Sequence, residues 1–273
     1  MREGKCVENE PNRSSAQRPA EYTAPMSEIQ GTAAAPAAAK MSEFARLGNT
    51  FFDPKRTFAD LAVKPRFWVP MILIIVLAVA YLSAFSSHVG WERFMRQQDE
   101  KSEQMQNLPA DQREKAIEMQ VKFAAPMGMA GAIVGTPVFF LASAGVLMFI
   151  FTNLLGSTVT FKQSLSIVSY SSLPGIIGSL AGLLVMFLKD PTDFDLQNPV
   201  GLNVGFYLDP NSTKAWIVSL CNSIDLLSFW SILLLATGFS IVAKKPWKSA
   251  LMGVLMPWAV YVLIKVGWAA IRG

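Results

Sequence analysis

The stretch FWVPMILIIVLAVAYLSAFSS, residues 67–87, carries no charged side chain from end to end. A bilayer core of about 30 Å takes about 20 helical residues to cross. Apolar side chains all round, rather than on one face, make strands a poor reading. The same reading applies to residues 126–156, 165–188, 222–243 and 250–271. Composition agrees, because only 16% of the residues are charged and 52% are hydrophobic, where a soluble domain carries about 25% charged residues. The sequence therefore predicts an all-α fold, a five-helix transmembrane bundle.

The first apolar run begins far from Met1 and is too long for a signal-peptide core, so it reads as an uncleaved signal anchor. Cys6 lies in the polar tail and Cys221 beside the fourth run, with nothing to bring them together, and no disulfide is expected. The net charge of +4 is small for this length, and no basic stripe is interleaved with aromatics. Nucleic acid is not an expected partner.

Residues 1–40 are rich in Ala, Pro, Ser and Glu and poor in large apolar side chains, the composition of a disordered tail. Met26 and Met41 are alternative starts. Asp53 and Pro54 then form an N-cap and first helical position, followed by Phe58, Leu61 and Ala62 opposite Lys55, Arg56 and Lys64. This predicts an N-terminal amphipathic interfacial helix whose apolar face meets lipid. Residues 88–125 read as a polar helical hairpin broken at Leu108-Pro109, with Asp111/Lys115 and Glu118/Lys122 at i,i+4 spacing. In the loop from 189 to 216, Asp190, Asp193, Asp195 and Asp209 lack the spacing of a calcium loop and read as turn residues.

Basic residues near the ends of the runs set the orientation. Arg46, Lys55, Arg56, Lys64 and Arg66 precede the first run, Lys162 lies between the second and third, and Lys244, Lys245 and Lys248 lie between the fourth and fifth. These places share one side, which predicts a cytoplasmic N-terminus, an exported C-terminus and an exported hairpin in an inner-membrane protein.

Chemistry-bearing patterns are few. His88 is the single histidine and has no acid or cysteine at ligand or triad spacing. Neither a phosphate loop nor a zinc-protease helix motif occurs, so no catalytic, cofactor or metal residue is assigned. Gly131/Gly135 and Gly178/Gly182 are candidate helix-packing pairs. Pro137 and Pro174 are candidate kinks of the kind that open backbone carbonyls in transporters. Asp225 and Lys265 each lie 20 residues from Lys245, before and after it. They therefore share a depth, as a candidate intramembrane ion pair or as an interfacial cap and a snorkelling lysine.

Three stretches, FFDPKRTFADLAVKPRFWVPMILI, TFKQSLSIVSYSSLPGIIGSLAGLL and DLLSFWSILLLATGFSIVAKKPWKSALMGVLMPWAVYVL, together resemble the bacterial branch of the Yip family. These are five-span membrane proteins named for Ypt/Rab-GTPase interaction in eukaryotes. The resemblance covers residues 44–271 and rests on the Asp-Pro-basic-x-Thr-Phe start, the Tyr-x-Ser-Leu-Pro-Gly of the third run and the Asp-x-x-x-x-Trp-Ser of the fourth. It implies a Yip-like transmembrane domain, an N-terminus inside and a non-enzymatic role. The expected function is a membrane-organising or partner-binding component, with membrane lipids and a membrane or cytoplasmic protein as partners. The alternative is a small-solute or ion transporter.

Overall fold

A computed structural model describes residues 41–100, 103–196, 198–209 and 212–272. The expected tail at 1–40 lies outside the described residues.

The described chain is helical, and its one strand-like feature is an isolated antiparallel bridge between Asn203 and Asp225. Two short helices come first, α1 (Glu43–Phe52) and α2 (Pro54–Val63), followed by α3 (Trp68–His88), α4 (Trp91–Glu100) and α5 (Glu103–Gln106). Next comes one continuous helix, Ala110–Leu154, made of α6 (Ala110–Ala130), a π turn (Gly131–Gly135), α7 (Thr136–Phe149) and a second π turn (Ile150–Leu154). The chain continues through α8 (Phe161–Ser171) and α9 (Pro174–Leu188), then α10 (Ala215–Cys221), α11 (Leu226–Val242) and α12 (Trp247–Arg272).

Among the described residues, four segments are long and apolar enough to cross a membrane: Trp68–His88, Ala110–Leu154, Phe161–Leu188 and Trp247–Ile271. The fourth expected span is shorter. Leu226–Val242 has 17 residues, because the chain leaves helical geometry at Asp225, which is extended at φ −123° and ψ 135°. The outward surface of these helices is apolar, with Val134, Phe139, Leu184, Met252 and Leu263 all exposed. That is the surface of a protein solvated by lipid.

The core runs around α8, whose residues from Ser164 to Ser171 are all buried. Where α2, α8 and α11 meet, only glycine fits: a Cβ on Gly238 would come within 2.6 Å of Ile167 Cγ2 and 3.0 Å of the Phe58 ring. Phe151 and Phe239 stack at 4.2 Å beside it. Three of the buried serines satisfy their hydroxyls on backbone carbonyls, Ser164 donating to Ala144 O at 2.7 Å, Ser166 to Lys162 O at 2.7 Å and Ser169 to Leu165 O at 2.8 Å.

Two expectations are corrected. Phe58 and Leu61 do not meet lipid, being 0% and 1% exposed within the bundle. Helical periodicity shows that a face is apolar, and protein or lipid can cover it equally. The second half of the polar hairpin is not a short separate helix either. It continues without a break into the second apolar run as Ala110–Leu154. Two ion pairs in this region cross between helices, Arg96 to Glu114 at 2.7 Å and Arg113 to Asp99 at 3.4 Å, and Arg96 also pairs with Glu92 within α4 at 3.1 Å.

Candidate functional site: a buried charge cluster beneath the N-terminal helix pair

Asp53 ends α1 and begins α2. Its N–H donates to Asn49 O at 2.8 Å, and its carboxylate accepts from Arg56 N at 3.2 Å, with Pro54 in the first helical position. This double use of one residue folds α1 back on α2. On α1, Arg46 and Thr50 stand one turn apart on the inward face, and the Thr50 hydroxyl donates to Arg46 O at 2.7 Å.

Arg46 is 3% exposed. Its guanidinium donates to Glu43 Oε1 at 2.6 Å and, through Nε, to Asp60 Oδ2 at 2.6 Å. The second Glu43 oxygen accepts from the Tyr170 hydroxyl at 2.8 Å, and Arg66 adds a bond to Oε1 at 3.1 Å. Two cations and two carboxylates thus neutralise one another. A buried ion needs such company, because desolvation of a lone charge costs several kcal/mol. A second tie lies close to Asp60 along α2, where Gln163 Nε2 donates to Ala62 O at 2.8 Å. Gln163 is free to do so because its Oε1 already completes a capping box with Thr160. Together the two ties fix α1 and α2 to the buried helix α8.

This arrangement holds a helix pair in place. Tyr170→Phe is expected to destabilise the protein by about 1.5–3 kcal/mol, the range for a hydrogen bond to a charged group. A shift in the thermal midpoint in detergent checks this, and an unchanged midpoint contradicts the role given to the Tyr170–Glu43 bond.

The sequence alone does not reveal this site. There Arg46 reads only as an orienting charge, and Tyr170 only as a letter of the Tyr-x-Ser-Leu-Pro-Gly stretch. The Glu43/Arg46 spacing of three is visible in the sequence, but nothing there points from residue 43 to residue 170.

Asp225 and Lys265 come to the same end of the bundle without forming an ion pair. Asp225 caps α11, accepting from Ser228 N at 2.7 Å, while Lys265 Nζ donates to Ser223 Oγ at 3.3 Å. Around them the chain is unwound between α10 and α11, held by Val204 N to Ile224 O and Leu226 N to Leu202 O, each 3.1 Å. A double-mutant cycle with Asp225→Asn and Lys265→Met should accordingly be additive to within about 0.5 kcal/mol. A larger coupling in thermal stability would show that the two charges do interact.

The glycines divide into two kinds. A Cβ on Gly178 would lie 2.6 Å from Leu227 Cδ1, and one on Gly182 3.1 Å from the Tyr81 hydroxyl, so both sit against close side-chain neighbours. A Cβ on Gly131 or Gly135 would meet nothing within 4 Å, so no neighbour demands a glycine at either place. They bound the π turn instead, where the Thr136 N–H reaches back to Gly131 O. Pro137 follows directly, and the widened turn relieves the clash its ring would make with the preceding turn. Pro174 separates α8 from α9. Tyr170 O, which a continuing helix would pair with residue 174, accepts from Leu173 N at 3.2 Å.

A groove of about 510 Å³ opens between these features, lined by Tyr81, Gly131, Thr136, Gly175 and Gly178 among others. In the 189–216 loop, Asp190 accepts from the Thr192 N–H and hydroxyl at 2.9 and 2.7 Å, bonds that hold its carboxyl below the usual carboxylate range.

The packed unit from the second half of α1 to the end of α12 coincides with a known domain: the sequence matches the Yip1 domain over residues 48–269. The chain belongs to the Yip1 domain family. It is similar to the membrane protein YknW of Bacillus subtilis (strain 168), with 29% identity over 214 residues, 76% of this chain and 85% of that protein. No solved structure matches. The family match and the apolar helices make this a multi-pass membrane protein. Asp60, Arg66 and Tyr170 fall within the matched Yip1 domain, while Glu43 and Arg46 stand just before it.

Proposed function

We propose that this Yip1 domain protein is a non-enzymatic, partner-binding component of the inner membrane, crossing it five times with the N-terminus in the cytoplasm and the C-terminus exported. The observation that carries this reading is the self-sufficiency of the charge cluster. Glu43 and Asp60 are each bonded to Arg46, and Glu43 also to Tyr170, so these charges are engaged in holding the N-terminal helix pair to the bundle. The fourth crossing, in chain order, is α11. Its 17 residues stand at the lower limit of about 17 that a bilayer core accepts, and α10 with the unwound segment extends it at the exported side. Fusions of a reporter active only outside the cytoplasm test the topology. Silence is expected after Lys162 and Lys245, activity after Glu103 and Gly273, and activity after Lys245 would overturn the orientation.

In vivo cross-linking followed by mass spectrometry tests the role itself, with a defined membrane or cytoplasmic protein recovered as the expected result. One observation favours transport as the second reading: Lys265 faces the break between α10 and α11, and transporters build sites at broken helices. Substrate-dependent flux in proteoliposomes without any recovered partner would establish that reading over the first.

A further inference from the structure

The charge cluster sorts the side chains of the N-terminal helix pair by sign. Its two interior carboxylates, Glu43 and Asp60, turn inward to Arg46. The bases Lys55, Arg56, Lys64 and Arg66 are left exposed. Asp53, the one exposed acid of the pair, is engaged in capping α2.

The outward face of α1 is apolar. Phe44, Gly48 and Phe52 recur at intervals of four, opposite the buried Arg46 and Thr50, and the two phenylalanines are 88% and 90% exposed. The Phe44 end of this ridge lies near the start of the first span. Arg66 bonds α1 through Glu43, and two residues later Trp68 begins α3, whose Trp68, Ile72 and Val76 are exposed in turn. A free-standing ridge of this kind in water would be an aggregation liability, and the adjoining helix already supplies its solvent.

We infer that the Phe44–Phe52 ridge of α1 is a docking surface for anionic phospholipid: the two rings enter the leaflet and the exposed bases of α2 and its C-terminal link meet the headgroups. Lipid chains cover the apolar ridge, and each basic residue gains from an anionic surface within a Debye length. This rests on the membrane crossing of the first span proposed above. It assigns lipid contact to α1, on residues other than the buried Phe58 and Leu61.

The test uses the full chain with Cys6→Ser and Cys221→Ser, carrying Phe52→Cys labelled with an environment-sensitive fluorophore, in nanodiscs that contain doxyl-labelled phosphatidylglycerol or phosphatidylcholine at equal mole fraction. Gln106→Cys, exposed beyond the first span, serves as the solvent control. The expected result is quenching at position 52 well above that at 106, and about twofold or more stronger with the anionic lipid, a difference that disappears at 1 M salt, where the Debye length is about 3 Å. Absence of quenching at 52 by either lipid, as when a protein or a second copy of the chain covers the ridge, overturns the inference. Equal quenching by both lipids overturns its anionic part. Nanodiscs expose both faces, so a failed topology reporter would change the leaflet concerned and leave this measurement standing.

Discussion

Arg46→Met is expected to destabilise the protein by about 3–5 kcal/mol, the range for removing one partner of a buried ion pair. The guanidinium is the element that lets Glu43 and Asp60 share a part-buried site, with bonds of 2.6 Å to each. Without it, two carboxylates face one another beside the core. Arg66 does not substitute, because it reaches only Glu43 and is 64% exposed. The triple change Arg46→Met, Glu43→Gln and Asp60→Asn should recover most of the loss, since no lone charge then remains. Thermal or denaturant midpoints in detergent report both effects. A single change that stays within about 1 kcal/mol of the parent would place Arg46 among ordinary surface pairs and contradict the cluster's role.

The second large effect separates two phenylalanines six residues apart in sequence. Phe58→Ala should lower stability by about 3–5 kcal/mol, the usual range for deleting a buried aromatic ring. Its ring fills the space against Gly238 and Ile167 at the crossing of α2, α8 and α11. Phe52→Ala in the same detergent should change stability by less than about 0.5 kcal/mol, since that ring is exposed. Comparable losses at the two positions would mean that the two rings do not face opposite surroundings.

Much of this architecture is legible in the sequence, and the reasons differ by element. The apolar runs show themselves because a lipid-facing helix has no polar side to hide, so α3, α9 and α12 follow directly from composition. The cap at Asp225 is also within reach, as an acid standing immediately before an apolar run. What the sequence does not show is which neighbour covers an apolar face. Phe58 and Phe44 look alike in helical periodicity, yet one is enclosed by α8 and α11 and the other is open. The charge cluster is hidden for the same reason. Its decisive bond joins residues 127 positions apart, Tyr170 to Glu43, and no local pattern encodes that meeting. The Gly131/Gly135 pair misleads in a different way. A four-residue spacing of glycines serves helix packing in many membrane proteins, but here it frames a π turn ahead of Pro137.

Above all, α1 and α2 are packed members of the transmembrane domain, clamped by the charge cluster and not attached only through the chain. Hydrogen exchange of the full chain in nanodiscs, read by mass spectrometry over residues 46–61, tests this most directly. Protection of these amides comparable to that of α11 is the predicted result, with much faster exchange in the same segment of Arg46→Met. Exchange of residues 46–61 in the parent protein as rapid as that of a free surface helix would contradict it.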